Sequence, residues 1–266
     1  MSLPSPLNCV AGLLALVLHV DVVCAADETS ERGWQYDHGA IVRGDPSEKQ
    51  LALVFTGSRY GEGTQHILKV LRCKDVKASF FVTGEYLADR SLRGLVGRMV
   101  AQGHYVGPHS HGHLLYCPWE ERSRSLVEQA DFLRDLQKNL AELRCLGALQ
   151  SEQPIFFIPP FEWFNRDQVR WARGIGVTTF SLTPGTGSNR DYIPEGEQGF
   201  VSSLEIIRQV LQFEGDSPQG LNGAVLLLHL GSERHDKLHC HLESLISSLQ
   251  GRGYRLARID ELLRIK

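Results

Sequence analysis

The sequence lacks three patterns that mark common classes of protein. It has no run of basic residues, and 28 Lys and Arg against 31 Asp and Glu give a net charge of −3. Nucleic acid or an anionic membrane is therefore disfavoured as the main partner. No CxxC pair occurs, so a thiolate zinc site or a thioredoxin-like site has little support. The loop at 183–189 lacks the Gly-Lys-Ser/Thr ending of a phosphate-binding loop, and this argues against nucleotide binding.

Internal repeats, low-complexity tracts and long linkers are also absent. The 266 residues are 42% hydrophobic and 22% charged, which is ordinary for a globular protein. Residues 27–49 are polar and lack periodicity. We therefore expect an extended segment over 27–49 that leads into a single domain over 50–266.

The first 26 residues have the pattern of a secretory signal peptide. An apolar run at 10–23 is followed by Ala25 and Ala26, and cleavage after either fits the small-residue rule. The segment before the run lacks Lys and Arg, and Asp21 interrupts the run, so an anchor helix or an unprocessed leader is the alternative. Because the run is short and charged for a membrane span, we expect a secreted or periplasmic protein without stable membrane insertion.

Cleavage would remove two of the six cysteines and leave four in the mature chain. Four cysteines allow three pairings if all are oxidised, and the sequence does not choose among them. The four that remain are Cys73, Cys117, Cys145 and Cys240.

Short apolar runs alternate with amphipathic segments along the domain, which predicts an α/β fold with a parallel sheet or a barrel. The strand-like runs are 51–55, 78–82, 104–107, 155–158, 177–182, 224–230 and 254–259, and the helix-like segments are 62–73, 91–102, 120–146, 166–174, 203–214 and 237–251. In such folds the chemistry lies at the carboxyl ends of the strands. Polar clusters follow five of the runs, at 56–58, 109–113, 159–162, 183–185 and His229.

Three histidines fall within five positions of the stretch 107-GPHSHGHLLY-116. Neutral imidazole suits zinc, and a catalytic zinc site needs three protein ligands with an open position for water. His109 and His113 are the candidate ligands. His111 would share their face on a strand but would point away on a helical turn.

These motifs, in this order, resemble those of the NodB-type polysaccharide deacetylases, carbohydrate esterase family 4. His109-Ser-x-x-His113 is similar to the family's metal motif, and 156-FFIPPFEWF-164 carries a Pro-Pro-aromatic like that of its third motif. The Leu-His pair in 225-VLLLHLG-231 resembles the last motif, and 76-VKASFFVTGEYL-87 resembles the second strand of the fold.

The resemblance implies a distorted (β/α) barrel of the polysaccharide deacetylase type, with seven to eight strands. It implies a bacterial hydrolase in which a divalent metal, most often zinc, activates water to remove N- or O-acetyl groups from a polysaccharide or oligosaccharide. His229 would be the acid that protonates the leaving group.

The sequence departs from the family at the positions of its carboxylates. The first motif of the family has two adjacent Asp residues, one the base and one a metal ligand, and here Thr56 and Gly57 stand in their place. Ile158 replaces the Arg of the third motif, and the fourth motif keeps only Asp191.

Three acids are candidates for the missing carboxylates. Glu62 follows the first strand and is the candidate third metal ligand, although an acid there also suits a helix N-terminus. Glu162, between two aromatic residues, competes with Glu62 for the ligand position and is a candidate general base or acid, because apolar surroundings raise a carboxyl pKa; the alternative is an ion pair. Asp191 is a catalytic candidate or a turn residue.

The candidate substrate-binding residues lie beside these acids. They are Pro160, Phe161, Trp163 and Tyr192, of which the three aromatic residues could form a floor for a sugar ring. Two other functions remain open: a catalytically impaired pseudoenzyme that binds glycan, and a hydrolase of another amide or ester bond.

Overall fold

The computed structural model describes residues 28–29, 33–150 and 152–264. The predicted signal peptide, residues 1–26, lies outside the described residues. In the described part of the chain, none of the helices combines the length and the apolar character needed to cross a bilayer. The four described cysteines are all free thiols.

Among the described residues, seven parallel strands form the frame of the domain, five in one sheet and two in another. The central strand β4 pairs with β5, β9 and β10 along its length, β5 pairs with β6, and β7 pairs with β8. The strands are β4 Gln50–Gly57, β5 Ser79–Val82, β6 Tyr105–Pro108, β7 Ile155–Phe157, β8 Val177–Thr179, β9 Val225–His229 and β10 Arg255–Ala257. The predicted α/β fold with parallel strands is confirmed.

In the part of the chain that the structure describes, eight α-helices follow or separate these strands. They are α1 Thr64–Cys73, α2 Gly84–Ala88, α3 Arg90–Ala101, α4 Gln129–Cys145, α5 Arg166–Arg173, α6 Ser203–Asp216, α7 Leu242–Gly251 and α8 Ile259–Leu262. The helix predicted over 120–146 begins only at Gln129. The preceding stretch instead packs as a loop, in which the Leu126 amide donates to the carbonyl of Tyr116.

The predicted extended segment over 27–49 contains three short strands. β1 Glu28–Thr29, β2 Gln35–Asp37 and β3 Ala40–Arg43 form an antiparallel sheet. A parallel bridge from Ile41 to Phe180 connects β3 to the end of β8.

Strand residues divide between two hydrophobic clusters by alternation, as a period of two requires. On β4, Leu51, Leu53 and Phe55 pack against the helices, whereas Ala52 and Val54 face an inner cluster. The inner cluster also holds Phe81, Tyr105, Phe156, Phe180, Val225 and Leu227, from five other strands or strand ends. The strands therefore enclose a filled interior, as in a small barrel.

The described strands do not form one continuous hydrogen-bonded ring. Between β6 and β7 the link is a side chain: the Tyr105 hydroxyl accepts from the Phe156 amide at 2.8 Å and donates to the Pro154 carbonyl at 3.1 Å. We call the gap between β6 and β7 the seam; here the Tyr105 phenol takes the place of a backbone hydrogen-bond ladder.

Truncation of the inner cluster should cost stability without touching the polar groups above it. Leu227 has no exposed surface, so we expect Leu227→Ala to lower the free energy of unfolding by about 2–5 kcal/mol. Leu204, which is 63% exposed, provides the control, and Leu204→Ala should change it by less than about 0.5 kcal/mol. Urea denaturation of both variants measures the difference; equal losses would contradict this assignment of the core.

Candidate active site

On three strands, the inward-facing side chains fill the barrel and are followed, at the carboxyl end of the strand, by an inward-facing polar residue. On β4, Thr56 follows Ala52 and Val54 on the same face, and on β9, His229 follows Val225 and Leu227 in the same way. Thr56 and His229 are register partners. His109 continues the face of β6 that holds Tyr105. Apolar residues fill the barrel, and polar residues cover its top.

A pocket of about 530 Å³ opens above this layer. Its lining is drawn from six loops that follow strands. The lining residues include Thr56, Gly57, Tyr60, Glu85, His109, His113, Trp119, Phe161, Glu162, Asn189, Tyr192, His229 and Glu233.

His109 and His113 lie side by side in this pocket, with ring centroids 5.1 Å apart. The Nδ1 of His109 donates to the carbonyl of Ile158 at 2.8 Å, so its Nε2 carries a lone pair. Burial, together with the neighbouring imidazoles, lowers the pKa of His109 well below its usual range and lowers that of His113 to about 4. Both rings are neutral at pH 7.

A single carboxylate shapes the loop that carries the two histidines. The Asp135 carboxylate on α4 accepts from the Ser110 hydroxyl at 2.5 Å and from the amides of His111 and Gly112 at 2.9 and 2.7 Å. Ser110 and His113 adopt left-handed backbone angles, φ 71° and 51°, which cost energy outside glycine. The carboxylate contacts offset this strain.

His111 points away from the other two histidines. Its Nδ1 lies 2.9 Å from a carboxylate oxygen of Glu142 on α4, and it is not among the residues that line the pocket. The loop therefore presents only the outer pair, His109 and His113, to the pocket.

His229 forms a tight pair with Asp191. Its Nδ1 lies 2.7 Å from Oδ1 of Asp191, whose Oδ2 accepts from the His229 amide at 2.9 Å. Burial disfavours the charged imidazole, but the Asp191 carboxylate outweighs it and raises the pKa of His229. Asp191 therefore orients the His229 ring and stabilises its protonated form. This role differs from direct contact with a substrate.

Glu162 brings a carboxyl group to the same pocket. It follows Phe161 in a short turn where both residues have left-handed angles, φ 51° and 59°. One carboxylate oxygen accepts from the Asn189 side chain at 3.1 Å. Burial raises the pKa of Glu162, against the opposing effect of His229. A strained, half-buried carboxyl with a raised pKa is typical of a functional acid or base.

Glu62, the predicted third metal ligand, lies elsewhere. Its carboxylate contacts the Lys237 ammonium and accepts from the Ser232 amide at 3.1 Å, and it does not line the pocket. These contacts hold the pKa of Glu62 below its usual value despite partial burial. The ion pair uses the carboxylate that the prediction assigned to a metal.

The position at which the family has its carboxylate ligand, Gly57 in this chain, has no space for a side chain. A Cβ on Gly57 would lie 2.7 Å from Cδ1 of Leu230 and 2.9 Å from Cδ2 of Tyr86, so a larger side chain does not fit there without movement. No group of three or more His, Cys, Asp or Glu side chains arranged for a metal occurs in the described part of the chain. Two imidazoles are one ligand short of a catalytic zinc site. The residues present do not fit the predicted divalent metal.

Thr56 stands where the family has its base, and its hydroxyl cannot replace a carboxylate. The side chain is 2% exposed, and its Oγ1 has no hydrogen-bond partner. Base chemistry must therefore come from a residue outside the first motif. Several carboxyl groups line the pocket, and Glu162 is one that lies close enough to His229 to raise the pKa of that histidine.

Two of the four predicted substrate-binding residues lie at the pocket. Phe161 and Tyr192 line it and are 43% and 50% exposed. Pro160 is buried, and Trp163 packs behind the wall, where its Nε1 donates to the Pro118 carbonyl.

Trp119, which the motifs did not single out, supplies an additional aromatic wall. It is 55% exposed, lines the pocket and stacks near Phe161 and Trp163, with centroids 5.8 and 5.7 Å away. The sequence signal that could have identified Trp119 is its position, six residues after the candidate ligand His113.

The comparisons with known proteins agree with this architecture. The family model for polysaccharide deacetylase matches residues 43–180. An uncharacterised 30.6 kDa protein of Geobacillus stearothermophilus is 47% identical over 86% of this chain and 76% of its own length. A peptidoglycan-N-acetylglucosamine deacetylase of Bacillus cereus is 24% identical over 83% of this chain and 91% of its own length.

Solved structures share the fold. A pseudoenzyme of carbohydrate esterase family 4 from Bacillus anthracis aligns with a TM-score of 0.67 at 22% identity, over 85% of this chain and 69% of the other. The predicted barrel type is thereby confirmed. With more than half of its length matched by the family model and with the relative of 47% identity, the chain belongs to the polysaccharide deacetylase family.

Proposed function

We propose that this protein removes acetyl groups from the amino sugars of a cell-wall glycan, outside the cytoplasm. One observation carries the proposal: a single pocket joins the Glu162 carboxyl to the ion pair of His229 and Asp191. The environments of Glu162 and His229 tune one acid and one base for work near neutral pH.

Glu162 is the proposed general base. Its ionised carboxylate holds a water molecule and takes a proton from it, while the water oxygen forms a bond to the acetyl carbon. The Asn189 side chain fixes the orientation of the carboxylate. The neutral ring of His113 faces the same space and is available to donate to the carbonyl oxygen.

His229 is the proposed general acid. Its protonated ring transfers a proton to the sugar nitrogen as the carbon–nitrogen bond breaks, which yields acetate and a free amine. Asp191 keeps the proton-donating tautomer in place and stabilises the imidazolium before the transfer.

The substrate class rests on the walls of the pocket and on the relatives. Trp119, Phe161 and Tyr192 present exposed rings at the mouth, and such rings stack on the apolar faces of sugars. The relative from Bacillus cereus is named for N-acetylglucosamine in peptidoglycan. Access to that polymer fits the export signal predicted over residues 1–26.

Loss of either proton-transfer group should abolish hydrolysis. We expect Glu162→Gln and His229→Ala each to lower kcat for acetate release from N-acetylglucosamine oligomers by about 10²–10⁴-fold. The exposed His235, which does not line the pocket, provides the control, and His235→Ala should retain full activity. Acetate release from peptidoglycan is measured in parallel, with and without added zinc. Unchanged rates in Glu162→Gln would rule out its role as the base.

The pH profile should depend on the pair of His229 and Asp191. The base must be ionised and the acid protonated, so kcat rises with pH through the Glu162 pKa and falls through the His229 pKa. Because Asp191 raises the pKa of His229, Asp191→Asn should move the alkaline limb to lower pH. A profile of kcat against pH for both proteins checks this; an alkaline limb that stays in place would assign it to another group.

A second function, glycan binding without hydrolysis, is favoured by the packing around Gly57. Leu230 and Tyr86 occupy the space of the family's metal ligand. Under this alternative the pocket retains sugars but lacks the metal that the chemistry requires.

Restoration of the carboxylate separates the two functions. Gly57→Asp alone should overpack the site and cost about 1–3 kcal/mol. Gly57→Asp with Leu230→Ala removes the shorter of the two contacts, so that a shift of the Tyr86 ring edge is enough for the new carboxylate to bind zinc together with His109 and His113. Calorimetric titration with zinc measures the gain. If only the double variant releases acetate, the native protein is a pseudoenzyme; if the native protein does so without added metal, it is a hydrolase.

A further inference from the structure

Arg234 is the largest side chain that is fully buried among the described residues, at 1% exposure. It lies in the loop after β9, five residues beyond His229, and it does not line the pocket. An arginine buried to this degree requires a full set of acceptors, because an unpaired buried charge is strongly destabilising.

The acceptors of Arg234 belong to one segment of the pocket wall and to its own loop. Nη1 donates to the carbonyl of Arg190 at 3.0 Å, and Nη2 donates to the carbonyl of Val201 at 2.8 Å. Nε donates to the carbonyl of Asp236 at 3.0 Å, and the Asp236 carboxylate lies 3.1 Å from Nη2. The guanidinium also stacks over the ring of Phe200, 4.7 Å from its centroid.

These contacts fix both ends of the segment 190–201. The Arg190 carbonyl belongs to the peptide group that directly precedes Asp191, so Arg234 holds the backbone from which the partner of His229 projects. The same segment supplies Tyr192, Pro194 and Glu197 to the pocket wall.

Two carboxylates of this segment contact β9 or the loop after it. Asp191 binds His229, and the Glu195 carboxylate accepts from the amides of His235 and Asp236 at 3.1 and 2.7 Å. Asp191 accepts from both the amide and the ring of His229, and those bonds require its carboxylate to stay within a few tenths of an ångström. A guanidinium with its planar fork of donors suits the task, because it can bond carbonyls in fixed directions.

We propose that Arg234 is a positioning residue for the active site: by clamping the segment 190–201, it holds Asp191 against His229 and fixes the adjoining pocket wall. The inference deepens the proposed function, on which its catalytic consequence rests. The coupling between Arg234 and His229 is a property of the free protein and can be measured without substrate.

The test compares two buried arginines in the full chain. Arg43 is 2% exposed, donates to the carbonyls of Gly220 and Asn222, and lies over the ring of Phe213. Arg43 is thus also a buried arginine that donates to carbonyls and lies over an aromatic ring, but it makes fewer hydrogen bonds, since its Nε has no partner among the described residues, and its carbonyl partners lie outside the segment 190–201. Like Arg234, it does not line the active-site pocket. Arg234→Lys and Arg43→Lys should both lower the melting temperature.

Titration of His229 by NMR is the deciding measurement. The charged or titratable groups that face it are Asp191, Glu162, His113, His109 and Tyr192, whose ring centroid lies 5.2 Å from that of His229. We expect Arg234→Lys to lower the His229 pKa by about one unit, as looser contact with a carboxylate would, and Arg43→Lys to leave it unchanged. Phe200→Leu, which removes the ring beneath the guanidinium, should give a smaller shift in the same direction and serves if Arg234→Lys fails to fold.

Two results would overturn the inference. One is a His229 titration that is the same in the Arg234 and Phe200 variants as in the native protein. The other is an equal shift in Arg43→Lys, which would show a general effect of destabilisation. If the native protein releases no acetate while the His229 shift is found, the proposed function fails and the positioning role stands.

Discussion

The alternation of side chains along parallel strands is the constraint on which the site depends. A small barrel has no room for solvated groups between its strands, so the inner positions of β4, β6 and β9 are apolar until the strands end. The next inner position on each strand is then Thr56, His109 or His229. Polar side chains meet there because each is the first inward-facing residue of its strand that lies above the apolar interior of the barrel.

The packing around Gly57 compensates for the absence of the carboxylate that the family has at this position. Replacement of a carboxylate by Gly57 would leave a cavity, and cavities in a core are costly. Leu230 and Tyr86 occupy that volume, so the loss of the ligand is built into the surrounding core. Glu162 and His229, the proposed base and acid, do not share this packing, and for this reason they can persist where the metal position does not.

Sequence reasoning found the parts of the site that follow from strand periodicity and motif order. It placed His109, His113 and His229 at strand ends and separated His111 from the pair. It could not place Glu62, because a loop residue only five positions past a strand end can turn either to the pocket or to a lysine 175 positions away in sequence. Trp119 and Arg234 were missed for the same reason, since their roles depend on contacts between loops that share no pattern.

The phenol of Tyr105 bridges β6 and β7 where no backbone ladder joins them. His109 follows the strand on one side of that seam, and Glu162 follows the strand on the other. A backbone ladder would fix the spacing of those two strands at about 4.8 Å, whereas a side chain that bridges two backbone groups sets its own span. The separation between the imidazoles and the carboxyl group is thus set by two side-chain bridges, Tyr105 beneath the pocket and the bond from His109 to the Ile158 carbonyl within it.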